Sequence, residues 1–127
     1  MQNENNTVHL TYQISKENDQ TILASLKGRI VDTETANHLI SAIVSELNPP
    51  INKVIVDLFE IDYINSNGLS SLISILTKTR TRGGEVVLIN INEKIQKLML
   101  ITKLNTVFTS ADSKEEALTK LSAIKSN

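Results

Sequence analysis

Two short, unbroken apolar runs, Val54-Ile55-Val56 and Val86-Val87-Leu88-Ile89, constrain this chain more than any other feature. β-Branched residues favour strands, and a run without polar alternation needs cover on both faces. Between the runs lies a helical period: Leu69, Leu72, Ile73 and Leu76 recur at three and four, and Gly83-Gly84 stops it. Strand, helix and strand in that order predict a parallel crossover.

The flanks extend the pattern. Val8, Leu10, Tyr12 and Ile14 alternate with His9, Thr11 and Gln13, predicting a half-buried strand over 8–14. The polar stretch SKENDQ reads as a turn, and Ile22, Ala24 and Leu26 give a second strand over 21–26, closed by Gly28, so the two form a hairpin. Asp32 or Thr33 can cap a helix whose apolar stripe is Ala36, Leu39, Ile40, Ile43 and Leu47, ended by Asn48-Pro49-Pro50. Ile95, Leu98, Met99 and Ile101 mark a short helix, and Val107-Phe108 an edge strand. Ser113 and Glu116 form a capping-box pattern, each satisfying the other's backbone amide, ahead of a last helix with Ala117, Leu118, Leu121 and Ile124 on its apolar face. The expected fold is α/β: a single domain with a mixed sheet, its first hairpin antiparallel and the rest parallel, and about four helices mostly on one face. Residues 1–7 are expected to be a flexible N-terminus, 8–124 the domain, and 125–127 a C-terminal tail.

Composition narrows the function classes. The 127 residues include 13 basic and 14 acidic ones, a net charge of −1, which offers no bulk field for nucleic acid or an anionic membrane. There is no cysteine, so disulfides and thiolate chemistry are excluded. His9 and His38 are far apart and read as exposed flank residues rather than metal ligands. Aromatics are 3% with no tryptophan, a poor basis for stacking on bases. No apolar run approaches the roughly 18 residues of a membrane span, and MQNENNTVHL lacks the basic-then-apolar order of an export signal. The expectations are no membrane insertion and a cytoplasmic location.

No pattern for enzymatic chemistry appears. Asp57, Glu60 and Asp62 cluster after the central strand, where α/β sheets often hold ligands, yet a solvated loop with one structural aspartate explains them. Gly83-Gly84 follows a helix rather than preceding one, so it is a C-cap turn and no phosphate cradle. Lys78, Arg80 and Arg82 suit the negative end of a helix dipole. Met99 and Leu100 read as core or partner contacts. No cofactor is expected.

The most informative segment is Asp62-Tyr63-Ile64-Asn65-Ser66-Asn67-Gly68-Leu69. It joins a buried strand to a helix, with Ser66 or Asn67 as the N-cap. Glycine is a poor helix former, and Gly68 leaves the helix start open to close approach by another molecule. Ser66 is then exposed beside free backbone amides. A phosphate there would add about −1.5 to −2 charges, which the helix dipole tolerates and a packed partner does not.

At this point the sequence resembles a family. The stretches VIVDLFEI, DYINSNGL, SSLISILTKTRTRGG and EVVLININEKIQKLMLITKLNTVF are similar to a STAS domain, and more narrowly to the bacterial anti-sigma-factor antagonists. Their usual pattern is an apolar strand with Asp, then D-S-[ST]-G-L, a helix, G-G, a strand and a short helix with an L-x-x-[TS]-x-L-like stretch. Leu98 to Leu104 with Val107-Phe108, and the closing Glu115 to Leu118, fit that order. The resemblance implies a protein that, unphosphorylated, binds an anti-sigma factor that is also a serine kinase, and so frees a sigma factor. The kinase then phosphorylates the serine matching Ser66 and ends binding, and a metal-dependent serine phosphatase restores it. ATP and Mg²⁺ belong to the kinase, and the chain is no enzyme. Two departures stand out. Asn65 and Asn67 replace the family's acid and second hydroxyl, and Gly28-Arg29-Ile30-Val31-Asp32 replaces G-E-[LI]-D, inverting a charge at Arg29.

The expected partner surface combines Asn65, Ser66, Asn67 and Gly68, the loop of Ile30, Val31, Asp32 and Thr33, and the small polar helix face of Ser70, Ser74 and Thr77. A merely solvated face explains the last three equally well. The protein is expected to be a monomer. An alternative keeps the surface but drops the switch: a STAS-like subunit docking constitutively in a membrane-transport or signalling assembly. A small-molecule-binding or enzymatic domain ranks last, for want of a nucleophile–base pair.

Overall fold

The computed structural model describes residues 10–124. The expected 1–7 terminus, Val8, His9 and the 125–127 tail lie outside the described residues. Five strands form one mixed sheet in sequential order: β1 (Leu10–Asn18), β2 (Thr21–Ile30), β3 (Lys53–Ile64), β4 (Glu85–Ile89) and β5 (Thr109–Ala111). β1 and β2 are antiparallel, and the remaining pairs are parallel. The helices are α1 (Thr33–Val44), α2 (Ser66–Thr81), α3 (Glu93–Ile101) and α4 (Lys114–Ser122).

The unbroken apolar runs are buried on both sides, as expected. Val54, Val56, Val86 and Leu88 face a large core shared with α1, α2 and α3, while Ile55, Val87 and Ile89 face a smaller one with Ala117 and Leu121 of α4. Right-handed crossovers between strands laid down in one direction place their helices on one face. The last helix bridges no strands and covers the other.

Several boundaries differ from the sequence reading. β1 continues to Asn18, so the turn shrinks to Asp19-Gln20, where the Gln20 amide donates to Asn18 Oδ1 at 2.9 Å. Glu17 holds the end of β1 through Lys114 Nζ at 3.2 Å. β2 does not stop at Gly28. The glycine sits inside the strand at φ +109°, beside a shift in its pairing with β3. α1 ends at Val44, before the prolines, and Leu47 is buried beyond it. β5 is Thr109–Ala111 rather than Val107-Phe108; Phe108 is a core residue leading into it. Glu116 accepts from the Asp112 amide at 2.7 Å instead of that of Ser113, although Ser113 Oγ does accept from the Glu116 amide.

The largest difference is in β3, which runs on to Ile64. Asp57, Glu60 and Asp62 therefore lie within a strand and not in a loop after it. Two pairing shifts against β2 turn Leu58, Ile61 and Ile64 all inward, a spacing of three that a regular strand forbids. Asp57 is structural: Oδ1 accepts from Asn90 Nδ2 and from the Phe59 amide, both at 2.9 Å. At the far end of α2 the Gly84 amide donates to the Thr79 carbonyl and the Gly83 amide to that of Arg80, with Gly83 at φ +76°. This is the expected glycine C-cap.

Candidate functional site

The long β3 delivers the 65–68 turn to the edge of the β2–α1 loop. The N-cap of α2 is Asn65, one residue before Ser66 and two before Asn67, the two expected candidates. Its Oδ1 accepts from the Gly68 amide at 3.1 Å. Its Nδ2 donates to the Val31 carbonyl at 3.1 Å, and Asn67 Nδ2 donates to the same oxygen at 3.4 Å. The Asn65 amide donates to the Ile30 carbonyl at 3.4 Å. Two loops more than 30 positions apart in sequence are thus tied at three points.

Gly68 makes that approach possible. A Cβ there would collide with the Ile30 carbonyl oxygen and lie 2.6 Å from Ile64 Cγ2. The close approach read from this glycine is real, but the approaching backbone is the chain's own and not another molecule's.

Ser66 occupies the first position of α2 and is exposed. Its hydroxyl has no hydrogen-bond partner among the described residues. With the Gly68 amide taken by the cap, the amides of Ser66 and Asn67 remain without partners among the described residues. Any negative charge carried by Ser66 would meet these donors and the positive end of a sixteen-residue helix.

The other expected surface residues divide by burial. Ile30 and Gly68 are buried and shape the site from beneath. Val31 and Asp32 are half-buried and Thr33 is exposed. Asp32 is occupied as the cap of α1: its carboxylate accepts from the Thr35 amide at 2.7 Å and from Thr35 Oγ1 at 3.0 Å. Ser70 and Thr77 are exposed and Ser74 is half-buried, so with Ser66 they form one polar stripe along α2. The stripe begins where the tied loops end, which makes the three segments one continuous surface. His38 is exposed on α1, outside this surface.

The sequence reading missed the opposite flank of Ser66. A groove of about 460 Å³ runs between the end of β3 and α3, lined by Tyr63, Ser66, Lys94, Lys97, Leu98 and Ile101 among others. Ile101, expected on the apolar face of α3, is 78% exposed. The signal was present in the sequence. Six residues at about 100° each put Ile101 roughly 240° around the helix from the buried Ile95, well off the core stripe.

Comparison with known proteins agrees with this geometry. A family model described as the STAS domain matches residues 4–117. The putative anti-sigma factor antagonist BtrV of Bordetella bronchiseptica is 27% identical over 99 residues, covering 78% of this chain and 84% of that protein. Among solved structures, the unphosphorylated form of the anti-sigma factor antagonist SpoIIAA superposes with a TM-score of 0.75 at 16% identity, covering 91% of this chain and 99% of that one. The phosphorylated form of SpoIIAA, a Bacillus cell fate determinant, superposes with a TM-score of 0.63 at 17% identity, covering 87% and 98%. At such identities the two structures speak for the fold. No helix among the described residues is long and apolar enough to cross a membrane.

Proposed function

The chain belongs to the STAS domain family, and from that premise we propose that it is a cytoplasmic, monomeric anti-sigma-factor antagonist switched at Ser66. Its unphosphorylated form binds an anti-sigma factor that is also a serine kinase, and this binding frees the sigma factor. The kinase supplies ATP and magnesium and transfers a phosphoryl group to Ser66 Oγ. A metal-dependent serine phosphatase removes it. The chain binds and is modified; it does not catalyse.

The observation that carries this reading is the setting of Ser66: an exposed hydroxyl, without a partner among the described residues, at the start of α2 on a turn tied to the β2–α1 loop. The tie holds the hydroxyl on a rigid surface, which suits recognition by a second protein. The helix dipole and the open amides accommodate a phosphate within the domain. In an interface the same dianion, facing a partner with no matching cation, costs several kcal/mol. At about 1.4 kcal/mol per tenfold, that is a loss of orders of magnitude in affinity.

The test begins in the native cells. Peptide mass spectrometry across Ser66, with phosphatases inhibited, is expected to find a phosphate whose occupancy varies with growth condition. Calorimetry with the kinase it identifies is expected to show binding retained by Ser66→Ala and strongly weakened by Ser66→Glu. Full coverage of the peptide with no phosphate under any condition, or equal binding by the two variants, overturns the switch.

A further inference from the structure

The groove on the other flank of Ser66 has a chemistry of its own. Its floor is apolar, with Ile95 buried and Leu98 half-buried. Tyr63, 46% exposed, and Ile101, 78% exposed, also line it. Lys94 and Lys97 line it as well, and no carboxylate does among the described residues. Neither lysine is in an ion pair among the described residues. Glu93, the acid of the same helix, lines a neighbouring cavity that Lys97 also borders, and it is not among the residues of this groove. In a chain of net charge −1, this is a local cluster of positive charge around uncovered apolar side chains.

We propose that this groove docks an acidic amphipathic helix of the protein that recognises Ser66. The inference rests on the partner-binding reading above and adds the chemistry of the partner. An amphipathic helix fits a concave apolar floor by laying its apolar stripe along it. Flanking carboxylates on that helix would meet Lys94 and Lys97. A basic segment would be repelled, and a neutral one would desolvate two ammonium groups without return.

The placement also couples docking to the switch. Ser66 lines the same groove as the two lysines. A phosphate on it sets a competing dianion beside the cations that the partner's carboxylates use, and repels those carboxylates directly. Modification and docking therefore compete for one positive site.

The test uses the full chain, labelled with ¹⁵N, and two synthetic helical peptides. Both carry leucines at helical spacing on one face; the other face is glutamate in one and lysine in the other. The glutamate peptide is expected to shift the amide resonances of residues 63–66 and 94–101, with an affinity that falls as salt rises. Lys94→Gln with Lys97→Gln, both at exposed positions, is expected to weaken it about tenfold or more, and so is phosphoserine installed at position 66 during synthesis of the chain. Equal binding of the lysine peptide, shifts elsewhere on the domain, or an affinity unmoved by the double variant overturns the proposal. So does a response of these resonances to phosphatidylglycerol vesicles but not to the glutamate peptide, which would assign the groove to a membrane surface. Failure of the unmodified protein to bind the glutamate peptide condemns the groove alone, whereas absence of phosphate from Ser66 in cells condemns the switch alone.

Discussion

The side chain of Asn65 donates to the backbone carbonyl of Val31, 34 positions away, at 3.1 Å. Its oxygen meanwhile caps α2 through the Gly68 amide. An aspartate at this position could perform the second task and not the first, because a carboxylate only accepts. The amide that departs from the family's acidic pattern therefore has a local purpose here. It converts a helix cap into a clasp between two loops.

Variants at this position separate the cap from the clasp. Asn65→Ala loses both and is expected to cost about 1 kcal/mol in urea unfolding. Asn65→Asp keeps the cap and stays within about 0.5 kcal/mol of the parent, aided by the helix dipole. Its amides over 31–33 are nevertheless expected to exchange hydrogen faster. Parent-like exchange in the aspartate variant would show that the bond to Val31 holds nothing.

Gly68→Ala reverses the usual ranking of helix formers. Alanine is favoured over glycine in a helix interior by about 1 kcal/mol. Here its methyl would meet the Ile30 carbonyl and Ile64, so the variant is expected to be less stable by about 2 kcal/mol. The expected secondary effect is a displaced β2–α1 loop, visible as resonance shifts over 30–33. A stability gain in thermal or urea unfolding would mean that the two loops are not packed this closely.

Much of this architecture was legible because burial on two faces leaves a plain mark. The runs at 54–56 and 86–89 have apolar neighbours above and below the sheet, so they lack alternation, and their reading as central strands needed no tertiary information. The segment 57–64 was illegible for the converse reason. Its inward residues, Leu58, Ile61 and Ile64, are three apart because two pairing shifts intervene. Those shifts are a property of β2 and β3 together and leave no local period. The site divides in the same way. The exposed place of Ser66 at the start of α2 was legible from the strand-to-helix step around it. The convergence of Asn65 and Asn67 on one carbonyl could not, since the acceptor lies in another loop. The groove beside α3 was missed because Ile101 was counted with the core stripe, although its angle from Ile95 already set it apart.

The two-sided core predicts a local response to damage on its minor side. Leu121 is 1% exposed and anchors α4 to the face opposite the Ser66 surface. Leu121→Ala is expected to cost about 2–3 kcal/mol, near the low end for buried leucines, because a terminal helix can shift to fill space. Exchange should rise across α4 and β5 while the amides of 30–33 and 65–68 keep their protection. Equal loss of protection at the Ser66 surface would show that the two cores unfold as one and that α4 is part of the site's support.

Arg80 decides whether the cationic end of α2 is structural. Its guanidinium donates to both carboxylate oxygens of Glu85, at 3.0 and 3.3 Å, and to the Val107 carbonyl at 3.4 Å. It thus joins the end of α2, the start of β4 and the approach to β5. The pair is partly exposed, so its worth is modest: Arg80→Lys, which loses the forked geometry, is expected to cost about 0.5 kcal/mol. Molar salt should shrink that difference. Neutralising Lys78 is expected to change stability less than Arg80→Lys does, since only the helix dipole is at stake there. If Lys78→Gln costs as much as Arg80→Lys in parallel urea titrations, the fork contributes nothing beyond charge, and the link to Val107 is incidental.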